Sequence, residues 1–187
     1  LATNSTGSYN TALGQGAGYA ITTGTENTSI GQGSMGASAG VTGDYNTTVG
    51  TSSARNLTSG ASNTAIGHAA LNATTTGGAN TAAGKSALQL NTTGNYNTAL
   101  GHTALYSNTT ASNNTAVGYQ AGYSNTTGAN ITAVGYQCAY TNTTGGGLCA
   151  IGYQALQFNT TGTANTAVGG SYYTVGPLRN NTTGSYN

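Results

Sequence analysis

The chain has 187 residues and a formal charge of only +1, from three Lys or Arg and two Asp or Glu side chains. Leu, Ile, Val and Phe together supply 23 residues while Gly alone supplies 31, which excludes the thick apolar core of an ordinary globular domain. The scattered Arg55, Lys85 and Arg179 offer no basic patch for nucleic acid, Glu26 and Asp44 form no acidic cluster for a cation, and no apolar run is long enough to insert in a membrane.

Apolar poverty of this kind argues for disorder only when charge is high, and here charge is nearly absent. Repetition argues for order instead. With Asn114 taken as phase 1, glycine recurs at phase 5 from Gly14, Gly31, Gly50 and Gly67 through to Gly169, and eight of the nine intervals are seventeen residues. A fixed period of this length implies one supersecondary unit per repeat, each stacked on the next. The expected fold is all-β: a β-solenoid (β-roll or β-helix) of about ten 17-residue coils, running through residues 1–187 as a single segment. Phases 2 to 4 read Thr-Ala-aliphatic and predict a short strand in each coil, because β-branched residues recur and glycine would break any helix. Ten coils at ~4.8 Å per strand predict a rod roughly 48 Å long.

Along the chain, strands are predicted first over 11–13 and 28–30, and the next repeat is lengthened by two residues within "GASAGVTGDY", 36–45. The regular coils that follow carry phase 4 residues such as Ile66, Leu100 and Val117, expected to point inward as the core column. Phase 3 (Ala65, Ala82, Ala99, Ala116) is then expected to point outward, and an outward alanine stripe predicts that a second surface packs on it. Phases 8 and 9, as in Ala70-Leu71, Ala87-Leu88 and Ala104-Leu105, are expected to fill the rest of the interior. So little apolar area cannot carry the fold alone, so backbone and side-chain ladders between coils must contribute heavily.

Asparagine supplies such ladders at phase 1 (Asn10 to Asn114, and Asn165) and at phase 12 (Asn91, Asn108, Asn125, Asn142 and Asn159). An amide can donate to the identical amide one coil away at every step. The "NTTG" of phases 12 to 15 is predicted to be a corner, its Asn closing an Asx turn and its Gly taking positive φ. The same asparagines, with Asn181, are N-glycosylation sequons, and an inward laddered amide and a glycan exclude one another at any one site.

His68, Lys85 and His102 share phase 6 on successive coils, which sets the two histidines ~9.6 Å apart, too far to share a metal. Tyr119, Tyr136 and Tyr153 continue that column, and Tyr106, Tyr123 and Tyr140 form another at phase 10. These read first as packing ladders, and secondly as an aromatic stripe for sugars. Cys138 and Cys149 occupy small-residue positions one coil apart, as buried thiols or as a coil-to-coil disulfide. The last coil is lengthened by five residues within "GSYYTVGPLRN", 170–180. "GSYN" stands in the same phase at 7–10 and 184–187, so both ends are expected to be cut from a longer array. No Ser-His-Asp, paired-carboxylate or phosphate-loop pattern occurs, so neither an enzyme nor a cofactor is expected.

The recurring "NTAVG-YQA" resembles the head repeats of trimeric autotransporter adhesins, and still more the "NTA-x-G" arrays of phage tail fibres and long bacterial surface proteins. The resemblance runs over essentially the whole chain, and its period is longer than that of autotransporter heads. It implies a β-roll whose identical chains associate side by side, often as trimers, in a stalk or head that binds a surface, with host-surface glycans as its partners. The expected function is therefore a structural segment of an extracellular fibre, at a cell or virion surface and glycan-coated if the sequons are used. End-to-end stacking of identical chains into a filament is the second mode of assembly. The alternatives are an ice-binding or a carbohydrate-binding β-solenoid, with the adjacent threonines of phases 13 and 14 counting against a flat ice face.

Overall fold

The computed structural model describes residues 1–36, 40–170 and 176–187. Each coil contributes one three-residue strand, from β1 (Thr11–Leu13), β2 (Thr28–Ile30), β3 (Thr47–Val49), β4 (Thr64–Ile66) and β5 (Thr81–Ala83) to β6 (Thr98–Leu100), β7 (Thr115–Val117), β8 (Thr132–Val134), β9 (Cys149–Ile151) and β10 (Thr166–Val168). They pair in parallel in chain order as one ten-stranded sheet, phase on phase: Thr64 lies against Thr81, Ala65 against Ala82 and Ile66 against Ala83. Among the described residues there is no helix. The chain is a β-solenoid.

The rest of each coil repeats as faithfully as its strand. The phase 5 glycine N–H donates to the carbonyl before the equivalent glycine one coil back, as Gly67 does to Val49 (2.7 Å) and Gly84 to Ile66 (2.8 Å). Two tight turns follow, with left-handed residues at phases 7 and 9. Even the buried leucines Leu71, Leu88, Leu105 and Leu156 take φ of 49° to 52° there. A left-handed residue other than glycine costs ~1 to 2 kcal/mol. The compensation is visible at Leu88, whose N–H reaches the Ala104 carbonyl of the next coil (3.0 Å) while its side chain is fully buried.

The alanine column is inside, not outside. Ala65, Ala82, Ala99, Ala116, Ala133 and Ala150 have no exposure, whereas Leu13, Ile66, Leu100, Ile151 and Val168 of phase 4 are exposed. The expected facing is therefore reversed, and with it the inference that another surface covers the alanines. The physical reason is the thinness of the coil. Leucines at phase 9 already fill the space opposite the strand, where a Cβ built on Gly122 would lie 3.0 Å from Leu105 and 3.9 Å from the methyl of Ala116. Only a methyl-sized side chain fits beneath the strand. In the second and third coils the same interior holds hydroxyls, and they satisfy one another: Ser34 Oγ lies 2.6 Å from Thr48 Oγ1 and 3.0 Å from Ser53 Oγ.

Glycine is required at phase 5 and favoured at phase 15, for two different reasons. At phase 5 φ runs from +117° to +136°, and a Cβ on Gly118 would come 2.5 Å from the Gly135 oxygen. At phase 15 φ is not positive, contrary to the expectation for the corner. There glycine is favoured by close approach, since a Cβ on Gly77 would lie 2.6 Å from the Gly94 oxygen, and Ala111 takes the position in one coil. The left-handed residue of that corner is at phase 17, as Tyr96 (φ 56°) and Asn130 (φ 58°).

The lengthened repeats at 36–45 and 170–180 include residues 37–39 and 171–175, which lie outside the described residues. Elsewhere in these two repeats, Val41 donates to the Ala20 carbonyl (2.8 Å), and Phe158 donates to the Arg179 carbonyl (2.9 Å). Gly118→Ala is predicted to lower unfolding stability by at least ~2 kcal/mol, against no more than ~0.5 kcal/mol for Thr127→Ala at the exposed corner. Chemical denaturation of the two variants checks this.

Candidate functional site

The asparagines form the most extensive set of polar side chains in the rod, and they are inside it. At phase 12, Asn91, Asn108, Asn125, Asn142 and Asn159 have no exposure. Each amide nitrogen from Asn108 onward donates to the oxygen of the preceding asparagine: 3.0 Å for Asn108 to Asn91, for Asn125 to Asn108 and for Asn142 to Asn125, and 2.8 Å for Asn159 to Asn142. Half-buried Asn181 continues the run to Asn159 at 3.3 Å. At phase 1 the side-chain oxygen is shared: Asn46 Oδ1 accepts both the backbone N–H (2.9 Å) and the amide (3.1 Å) of Asn63.

Both columns converge on one acceptor, the backbone carbonyl of phase 15. Asn91 donates to the Gly94 carbonyl (3.0 Å) from three residues before it, and Asn80 donates to the same oxygen (2.9 Å) from fourteen before. The first contact replaces the expected Asx turn: the asparagine donates its amide forward and leaves its oxygen for the ladder. Where phase 12 is apolar, phase 1 serves the carbonyl alone. Leu57 stands before Gly60, whose oxygen takes the Asn46 amide (3.0 Å). Where phase 1 is apolar, as at Ile131 and Leu148, phase 12 takes over, with Asn142 on Gly145 and Asn159 on Gly162 (2.9 Å each). In every described coil at least one asparagine reaches this oxygen. Thr74 marks the point where the phase 12 column changes from Leu57 to Asn91, and its Oγ1 is the one buried side-chain oxygen among the described residues without a hydrogen-bond partner.

The five ladder sequons therefore have their amide nitrogens, the atoms a glycan would occupy, bonded and out of reach in the folded coil. The exposed sequon asparagines are Asn4, Asn113, Asn130 and Asn180.

On the outer surface, the phase 6 rings stack from His102 to Tyr119 (5.5 Å), Tyr136 (5.4 Å) and Tyr153 (5.2 Å), and Tyr106, Tyr123 and Tyr140 stack at 5.2 Å per step. Interplanar angles of 7° to 15° lay ring faces on ring faces. That arrangement covers the faces a sugar needs for stacking and leaves mainly edges. Burial, followed by the phenols of Tyr106, Tyr140 and Tyr119, raises the pKa of Tyr123. Beside the rings a glutamine ladder runs from Gln120 through Gln137 (2.8 Å) to Gln157 (3.1 Å), where Arg179 Nε donates to Gln157 (2.7 Å) and its guanidinium lies 4.7 Å from the Phe158 ring. His68 and Lys85 are exposed on the coils before His102. The described residues hold no group of three metal-ligating side chains and no cavity.

Of the adjacent threonines, phase 14 is exposed, while phase 13 is half-buried and spends its hydroxyl on the next coil, as Thr92 does on the Thr109 carbonyl (3.0 Å). The outward threonine rank of the rod is instead phase 2, beside the aliphatic phase 4. Nothing in the sequence alone pointed to that surface, because the facing of the strand was assigned the other way.

Cys138 is buried, Cys149 is half-buried on its strand, and both are free thiols. Burial pushes the Cys138 thiol up to about 12, with its backbone hydrogen bond opposing. A comparison with known protein families, curated proteins and solved structures returns no match for this chain.

Asn142→Leu is predicted to cost ~1 to 3 kcal/mol more than Asn91→Leu in denaturant unfolding, because only the former leaves a buried phase 15 carbonyl with no donor. A disulfide reagent at mildly alkaline pH is predicted to label Cys149 and spare Cys138 until the chain is unfolded. The sign for stability follows from the raised value: the contribution of the neutral Cys138 thiol is complete below 9.0 and is lost as pH climbs toward about 12.

Proposed function

We propose that the chain is a structural segment of an extracellular fibre, such as an adhesin stalk, a surface filament or a phage tail fibre, assembled from identical chains. The observation that carries this reading is that each described coil repeats the backbone bonds to its neighbour and sets at least one asparagine amide on its phase 15 carbonyl. Stability then grows with each added coil through nearest-neighbour contacts, so length is the one property the sequence can extend without redesign. Length and stiffness are what a stalk needs. The surface supports the reading as well: it carries few charges and is polar at its corners, and the tyrosine stacks strengthen coil-to-coil contact along the axis. An extracellular place is supported by the resemblance of the repeat to surface-fibre arrays and by four exposed sequons. A glycan coat, in this reading, is carried by those exposed asparagines.

Antibodies raised against the folded rod, applied to the source cells or particles, are predicted to decorate thin filaments at the surface in negative-stain images. Label confined to the interior would overturn the proposal. Peptide mapping of the native material is predicted to find any sugar on Asn4, Asn113, Asn130 or Asn180, with Asn91, Asn108, Asn125, Asn142 and Asn159 bare.

A further inference from the structure

The strand face is the unexplained surface of this rod. Of the 23 large apolar residues in the chain, nine stand in the outward phase 4 column, as many as the large aliphatic side chains that are buried inside. A sequence so poor in such residues turns half of its useful supply outward, five of the nine exposed and four half-buried. The same strands turn threonine outward at phase 2 in nine of ten coils, and neither column contains a charged residue. Phase 4 spacing is locked to the strand spacing, so the column is a row of aliphatic knobs at ~4.8 Å intervals with shallow gaps between them.

We infer that this face is an interface with a second copy of the same chain, the two rods lying face to face and antiparallel about a two-fold axis between β5 and β6. Three observations select that occupant. A partner must present the same spacing to stay in register along ten strands, and an identical rod does so without adjustment. The absence of charge in both columns removes the repulsion that like surfaces otherwise meet, and offers nothing to a charged partner. The strip of phases 1 to 5 measures ~16 Å by ~48 Å, close to the roughly 800 Å² per partner of a stable interface.

The direction follows from one irregularity. Ala83 is the single small residue in the phase 4 column, and Leu100 stands on the next coil. An axis between these coils sets Ala83 of one copy against Leu100 of the other, twice, so that small meets large. It also pairs Ile66 with Val117 and Val49 with Val134. A parallel arrangement sets Ala83 on Ala83 and Leu100 on Leu100, leaving a void beside a clash. The inference concerns lateral pairing and stands whether or not the rod belongs to a fibre.

Sedimentation equilibrium of the wild-type chain tests it. The expected result is a dimer of the 18.3 kDa chain, converted to monomer by Ile66→Lys with unchanged circular dichroism and a dissociation constant raised by about 100-fold or more. Adding Val117→Glu to Ile66→Lys is expected to restore the dimer, because the two-fold axis brings those positions together between copies while three coils separate them within one. Thr93→Lys, on the exposed corner, is the control and stays dimeric. A wild-type monomer well above micromolar concentration overturns the inference. If such a monomer also shows thermal hysteresis that Ile66→Lys abolishes, ordered ice is the occupant instead. A dimer that survives Ile66→Lys places the interface on another face, and failure of the double variant to recover overturns the antiparallel register.

Discussion

Everything in this rod depends on one buried oxygen per coil. The phase 15 carbonyl sits where successive coils come so close that glycine holds the position in every described coil but one, the exception being the buried Ala111. An unpaired carbonyl in that place would cost ~1 to 3 kcal/mol at every coil, which a chain with so little apolar burial has no means to offset. Asparagine is the residue that meets the need, because one amide can donate to this carbonyl and to its own image in the neighbouring coil while its oxygen accepts from the other side. The two asparagine columns are thus alternative ways to reach the same acceptor. Ile131 and Leu148 can enter one column only because Asn142 and Asn159 hold the other.

The same economy shapes the interior. A coil of seventeen residues encloses a space narrow enough that leucine from one wall meets alanine from the other, and polar ladders occupy the remaining corner. Left-handed residues are frequent for the same reason: a small closed loop needs several sharp turns, and each turn aims an N–H at a neighbouring coil, the preceding one at phases 7 and 17 and the next one at phase 9. Strain within a coil is exchanged for bonds between coils. Such a rod has little that could act as an enclosed site, and much that rewards extension along its axis and contact along its sides.

The aromatic columns follow the logic of the ladders rather than that of a binding cleft. Rings stacked within 15° of parallel at 5.2 to 5.5 Å strengthen the axis and shield one another's faces. The aliphatic column covers itself only in part: Ile30, Val49, Val117 and Val134 are half-buried, and Leu13, Ile66, Leu100, Ile151 and Val168 stay exposed. That contrast makes the strand face, and not the tyrosine stripe, the surface on which recognition is to be sought.

The sequence by itself determined the period, the strand positions at Thr-Ala-aliphatic, the phase 5 glycines, and the membership of the asparagine and tyrosine columns. All of these follow from spacing, since in a stacked solenoid residues one period apart must lie over one another. What spacing cannot supply is a sign. Alternation says that Ala116 and Val117 face opposite sides, but which side is interior depends on the gap to the opposite wall, and that gap is fixed by Leu105 and its neighbours across the coil. The tertiary structure alone decided that alanine goes in and valine out. It likewise decided why glycine prevails at phase 15, through the approach of the next coil, and what the sequon asparagines do, because the amide each one bonds lies seventeen residues away and only the closed coil brings it within reach.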